Sequence, residues 1–204
     1  NLCMGFAVLF LARTLASLFF VNRLDHEVLE KRSRKFVLYN GVPFLLFFLI
    51  FLVWTLLEKG YAVDPVTRVV SLEEMKYLQN FIDMPLVAAL FVVGVIAVLY
   101  GILRTAFLAH FKKGIWFAGA GTVVVVTMLL LITGFNNTAY YPSSVDLQSS
   151  LTLANSASSE FTLSAMAVVS LFVPVVVAYI IYAWGALEKK KLRLDDLEND
   201  GHTY

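Results

Sequence analysis

The sequence predicts an all-α protein: a polytopic transmembrane helix bundle of about five spanning helices, with one short interfacial helix outside the membrane. Three observations carry that reading. Apolar residues fill 59% of the 204 positions and charged residues only 15%, against roughly 45–50% and about 25% in soluble domains; mean hydropathy is +0.77. The apolar residues gather into five runs, each long enough to cross about 30 Å of hydrocarbon. The basic residues fall mainly in alternate connections between those runs. A soluble fold would need polar residues on the outward side of every helix, and the runs do not supply them.

In order, the runs extend from Leu2 to Val21, Val37 to Leu57, Met84 to Leu108, Ile115 to Phe135 and Phe161 to Trp184. Residues 1–186 are expected to form the bundle and 187–204 a cytoplasmic tail. The chain opens at Asn1 against an apolar run with no basic flank before it and no small-residue cleavage site after it, which argues against a signal peptide and reads as the interior of a longer protein. Cys3 stands alone, so it forms neither an internal disulfide nor a clustered metal site and is expected to pack.

The connection from Asn22 to Phe36 carries Arg23, Lys31, Arg32, Arg34 and Lys35, the turn after the third run carries Lys112 and Lys113, and the tail carries Lys189, Lys190, Lys191 and Arg193. The alternate connections hold only Lys59, Arg68 and Lys76, with no Lys or Arg from Asn136 to Glu160. The positive-inside rule therefore places the start of the first helix outside and the C-terminus in the cytoplasm, in agreement with five crossings.

The expected outer loop Glu58 to Asp83 contains Ser71-Leu72-Glu73-Glu74, a capping-box pattern, ahead of apolar Met75, Leu78, Phe81 and Ile82; this predicts the interfacial helix. Asp83 and Pro85 are expected to serve as N-cap and early proline of the third span. Pro43 and Pro174 are expected to break or bend the second and fifth spans. Small residues four apart, at Ala12 and Ala16, at Ala97 and Gly101, and at Gly114, Ala118 and Thr122, predict close helix packing.

Arg13 is the most informative single residue, because a charge near the middle of a span costs about 2.5–3.5 kcal/mol on insertion scales unless it is paired or wet. It is the one candidate intramembrane polar contact, read either as facing a partner carboxylate, a cofactor propionate or a polar channel, or as reaching the cytoplasmic headgroups. Arg104, nearer its helix end, is read as snorkelling. The histidines His26, His110 and His202 all lie outside the runs, whereas a haem inside a bundle needs axial ligands on the helices; the chain is expected not to ligate haem by itself. No carboxylate stands inside a run, which speaks against an ion-coupled transporter. There is no glycine-rich phosphate loop, HExxH or GxSxG pattern. No catalytic, cofactor-binding or metal residue is assigned. The Asn136-Asn137-Thr138 glycosylation triplet abuts a helix end and is read as structural. The Lys189 to Lys191 run is read chiefly as a stop and orientation signal, with anionic lipid as a second use.

One stretch is specific. Pro142-Ser143-Ser144, then Ser150-Leu151-Thr152, then Ala157-Ser158-Ser159 with Thr162, Leu163 and Met166 precede a proline-bent last span. This order resembles the C-terminal part of subunit II of the cytochrome bd quinol oxidases, and upstream the succession of spans and loops is similar throughout. The resemblance implies the C-terminal half of that subunit, in a bacterial inner-membrane complex that oxidises quinol and reduces dioxygen to water. It further implies that haem b and haem d and the quinol site belong to subunit I, which this chain packs against and shields. Two other readings stand beside it: half of a secondary transporter, with Pro43 and Pro174 marking broken helices, and a structural subunit of another membrane complex. Pro174 is flanked by Phe172, Val173, Val175, Val176 and Val177, which is not the polar surrounding a transport site requires.

Overall fold

The computed structural model describes residues 2–187; the expected tail after residue 187, with His202 and the Lys189 to Lys191 run, lies outside the described residues. The chain divides into two compact units that meet in sequence at Leu153 and Ala154.

In the first unit, helices α1 (Leu2–Arg23), α2 (Glu27–Leu57), α4 (Pro85–Phe107) and α5 (Gly114–Gly134) form a four-helix bundle. α1 packs on α2 and α4 on α5, and the two hairpins meet through α2 with α4 and α1 with α5. Leu18, Val37, Ala118 and Ile132, each fully buried, lie in its core with Ala7, Phe44, Phe91 and Val98. Much of the rest of each helix is apolar and exposed, as at Val8, Leu46, Val93 and Val123, which is the surface a helix presents to lipid or to another protein.

α2 begins at Glu27, so most of the basic connection expected from Asn22 to Phe36 is helical. Its N-terminus accounts for this: His26 Nδ1 accepts from Leu29 N at 3.3 Å, and Glu27 and Glu30 occupy the first turn, where the exposed N–H groups favour negative charge. Each pairs with a cation four residues on, Lys31 at 2.6 Å and Arg34 at 2.8 Å. Pro43 lies inside α2, and the helix continues through it.

α4 and α5 approach each other closely. Their buried positions alternate three and four apart, Phe91, Gly94, Val98, Gly101 and Thr105 against Gly114, Ala118, Gly121 and Val125. A Cβ on Gly101 would stand 2.6 Å from the Gly114 carbonyl, and one on Gly121 2.7 Å from that of Gly94. Small residues thus let the backbones meet, as expected from Gly101, Gly114 and Ala118. The stripe runs on through Gly121, however, since the heptad-like repeat turns Thr122 partly away, and Ala12 and Ala16 are exposed while α1 buries Ala7, Thr14, Ser17, Leu18 and Val21.

Two expectations for the segment between α2 and α4 are corrected. Ser71 caps no helix: it lies in β2 (Val70–Glu73), paired antiparallel with β1 (Gly60–Val63) opposite Ala62. The interfacial helix, α3 (Lys76–Asp83), starts after Met75, which adopts a left-handed conformation and provides no side-chain cap. Nor does Asp83 cap α4. It ends α3, because Met84 precedes Pro85 and is turned out of helical geometry at φ −117° and ψ 71°; Pro85 does occupy the first turn of α4.

The second unit contains α6 (Leu153–Ser156, which straddles the division), α7 (Glu160–Ser170) and α8 (Val173–Leu187). The Ser159 hydroxyl accepts from Thr162 N at 3.4 Å and caps α7. Pro174 ends the helical path of α7 as expected, with the break at Leu171 and Phe172. Taken together across this break, residues Glu160–Ala186 form the fifth of five helical stretches long and apolar enough to cross a membrane.

Candidate functional site

Polar chemistry in the first unit is concentrated at the two ends of the bundle, and the interior between them is lined mainly by apolar side chains. Within the spans, each buried hydroxyl bonds a carbonyl of its own helix four residues back: Thr14 to Phe10, Ser17 to Arg13 and Thr105 to Gly101, all at 2.8 Å. Asn40 does the same with Phe36 at 2.7 Å. These groups are satisfied locally and, among the described residues, their side chains do not bond one another. A cavity of about 260 Å³ between the helices is lined by Ala7, Leu11, Phe44, Phe48, Phe91 and Val125 among other apolar residues, with Thr122 the polar residue at its wall. The Thr122 hydroxyl is itself bonded to the Ala118 carbonyl at 2.7 Å.

At the end carrying the α1–α2 and α4–α5 turns, here the basic end, Arg34 is the organising residue. It is 9% exposed. Its guanidinium donates to the carbonyls of Thr105, Leu108 at 2.9 Å, Ala109 at 2.6 Å and Phe111 at 3.2 Å. These carbonyls belong to the last turn of α4 and the chain just beyond it, where no further helical N–H is available to them. Glu30 accepts from Arg34 at 2.8 Å and from Lys112 at 2.7 Å, and Asn22 Nδ2 donates to the Lys112 carbonyl at 3.0 Å. Arg34 and Glu30 thereby tie α2 to the end of α4 and the α4–α5 turn, and Asn22 ties α1 to the same turn through Lys112. The sequence signal was the i,i+4 spacing of Glu30 and Arg34; Arg34 had counted only as one positive charge in a connection.

At the opposite, hairpin end, Asn80 of α3 is fully buried. It donates to the Ile132 carbonyl at 2.7 Å and to Thr138 Oγ1 at 2.9 Å, and accepts from Asn136 Nδ2 at 3.1 Å. Asn136 also donates to Asp83 at 3.3 Å. The segment after α5 then extends the hairpin: Val63 N donates to Asn137 O at 2.8 Å and Ala139 N to Tyr61 O at 3.0 Å. Gln148 makes a reciprocal pair with the Val70 backbone at 3.0 and 2.9 Å. The serines singled out in the sequence close this cap, with Ser150 Oγ accepting from Ser143 N at 3.0 Å and Ser143 Oγ from Asp146 N at 3.3 Å. Asp64 turns the hairpin by accepting from Thr67 N at 2.7 Å and Val66 N at 2.8 Å, and those backbone donors, Thr67 first, hold its carboxyl below the usual range.

Arg13 lies on the exposed side of α1, and its side chain makes no hydrogen bond or ion pair with the described residues. It borders a groove shared with Arg32, Phe36 and Asn40 of α2. Arg104 is exposed and rests against the Tyr100 and Phe111 rings at 5.4 and 5.7 Å. His26 and His110 lie at the basic-end turns, and His26 is engaged as a cap. Among the described residues no three His, Cys, Asp or Glu side chains are grouped to hold a metal ion, and these two histidines do not fit an axial pair for a haem held between helices.

The profile of the cytochrome bd terminal oxidase subunit II family matches residues 1–187. The chain belongs to that family. It is also 26% identical over 179 residues to a probable cytochrome oxidase subunit 2 of Haemophilus influenzae, an alignment covering 79% of this chain and 44% of that relative. The chain thus spans less than half the length of the curated relative it matches. It is a multi-pass membrane protein of the bd-oxidase subunit II family, and the serine-rich segments that carried the resemblance fall within the matched region.

Proposed function

We propose that this chain acts as the haem-free C-terminal half of subunit II in a bd-type terminal oxidase of a bacterial inner membrane, a complex that oxidises quinol and reduces dioxygen to water. Its partner is the haem-bearing subunit I, on which haem b, haem d and quinol are bound. The basic end faces the cytoplasm, and so does the C-terminus, by the distribution of Lys and Arg.

The family match over residues 1–187 carries this reading. The physical role that fits the bundle is that of a low-dielectric wall. Its buried hydroxyls are satisfied within their own helices and its cavity is apolar, so it admits neither an ion nor a proton file to the side of the complex it covers. Excluding water there strengthens electrostatic interactions around a redox centre on the partner and limits escape of reduced oxygen species. The apolar helix faces supply the surface for packing. The same apolar interior, and the unbroken passage of α2 through Pro43, speak against a transporter half, which needs polar groups at a helix break.

The test is purification of the full-length subunit by a tag on this chain in mild detergent, followed by a reduced-minus-oxidised visible spectrum and an oxygen-uptake assay with quinol. Haem bands together with quinol-dependent uptake are expected. A stable, colourless preparation without a haem-bearing partner would overturn the proposal.

A further inference from the structure

The groove that Arg13 borders has a composition that the packing of this chain does not require. Arg32 and Lys35 stand on its α2 side, all three cations are exposed, and none forms a hydrogen bond or ion pair with the described residues. The acids on the same turns of α2 are engaged elsewhere, Glu27 with Lys31 and Glu30 with Arg34 and Lys112. Beside the cations the wall is formed by Phe10, Phe36 and Tyr39, leaving an open space of about 620 Å³.

The α1–α2 pairing sets its depth. The apolar run of α2 lies between Lys35 and Glu58 and spans about 33 Å at 1.5 Å per residue, close to the thickness of the hydrocarbon core. Arg13 borders the groove at the level of Phe36 to Asn40, so it sits within about 7 Å of the headgroup boundary marked by Lys35. A guanidinium reaches that far along its aliphatic stem.

We propose that this groove binds the phosphate of an anionic phospholipid in the leaflet at the basic end. Arg13 approaches it from the hydrocarbon side and Arg32 and Lys35 from the water side, while an acyl chain covers Phe10 and Phe36. Charge complementarity selects an anion, and the apolar wall continuous with the cations selects one that carries a hydrocarbon chain. The inference depends on the chain spanning a membrane and not on its place in an oxidase.

The experiment uses the full-length protein in its isolated complex, placed in nanodiscs of phosphatidylcholine with a minority of phosphatidylglycerol, with retained lipid read by native mass spectrometry. Phosphatidylglycerol should be enriched, and each of Arg13→Gln, Arg32→Gln and Lys35→Gln should lower the enrichment about fivefold, as expected for one basic residue near an anionic surface. Arg13→Lys should keep most of it, Lys59→Gln at the hairpin end should leave it unchanged, and excess inorganic phosphate should not displace the lipid. A photoreactive residue in place of Phe36, in an otherwise unaltered chain, should capture phospholipid. Unchanged enrichment in the triple glutamine variant, displacement by inorganic phosphate, or capture of a protein chain at position 36 would each overturn the proposal.

Discussion

Arg34 and Glu30, one helical turn apart on α2 and joined at 2.8 Å, form the junction between the two halves of the bundle. The pair does more than neutralise itself. Arg34 also serves four carbonyls at and beyond the end of α4, and Glu30 also holds Lys112 of the α4–α5 turn. Removing the cation strands those carbonyls and leaves Glu30, only 17% exposed, with Lys112 as its one remaining cation.

Arg34→Gln should therefore lower bundle stability by about 1–3 kcal/mol, the cost of leaving buried acceptors unsatisfied. Glu30→Gln should cost less, because the guanidinium keeps its carbonyl acceptors. Reversible unfolding in mixed detergent micelles measures both, and an equal loss in the two variants would contradict the asymmetry.

At the α4–α5 contact, Gly114→Ala drives a Cβ into Thr105 Oγ1, whereas Gly119→Ala on the same helix meets nothing within 4 Å. The first should destabilise by about 1–3 kcal/mol, the usual range for overpacking, and the second should be neutral or slightly stabilising. Melting temperatures of the purified variants distinguish them; if both behave alike, the helices do not approach as described.

Asn80→Leu removes the donors to Ile132 O and Thr138 Oγ1 and leaves Asn136 without one of its acceptors. A loss of about 1–3 kcal/mol follows from stranding buried polar groups. The effect should concentrate at the hairpin end, so limited proteolysis between residues 136 and 150 should accelerate while the spans stay protected.

The depressed carboxyl of Asp64 gives the hairpin turn a pH dependence. Because the folded value lies below the unfolded one, the stabilisation is fully present above the unfolded value and is lost as pH falls through the folded value. Hydrogen exchange at the Val66 and Thr67 amides should speed up, relative to its intrinsic rate, on acidification through that window. Asp64→Asn should abolish the change; if it persists in that variant, another group is responsible.

The spanning segments were legible because each is a long apolar run, and α1, α4 and α5 begin and end within two residues of the limits expected from it. Legibility failed where short-range signals competed. Gly60–Val63 and Val70–Glu73 are too short to show an alternating pattern, and Ser71 with Glu74 imitates a helix start that strand pairing overrides. Asn80 was invisible because its partners, Ile132 and Thr138, lie more than fifty residues away. Arg34 looked like one more positive charge on the basic side, since its burial depends on where α4 ends. Arg13 was conspicuous in sequence, yet its depth could be read only once α2 was aligned beside α1.

The central claim is that this chain contributes a wall and no redox centre. Expressing the full-length subunit with and without the haem-bearing subunit, and recording reduced-minus-oxidised spectra of the tagged protein from each, tests it most directly. The account predicts haem bands only in the co-expressed sample. Haem bound stoichiometrically to the subunit expressed alone would contradict it.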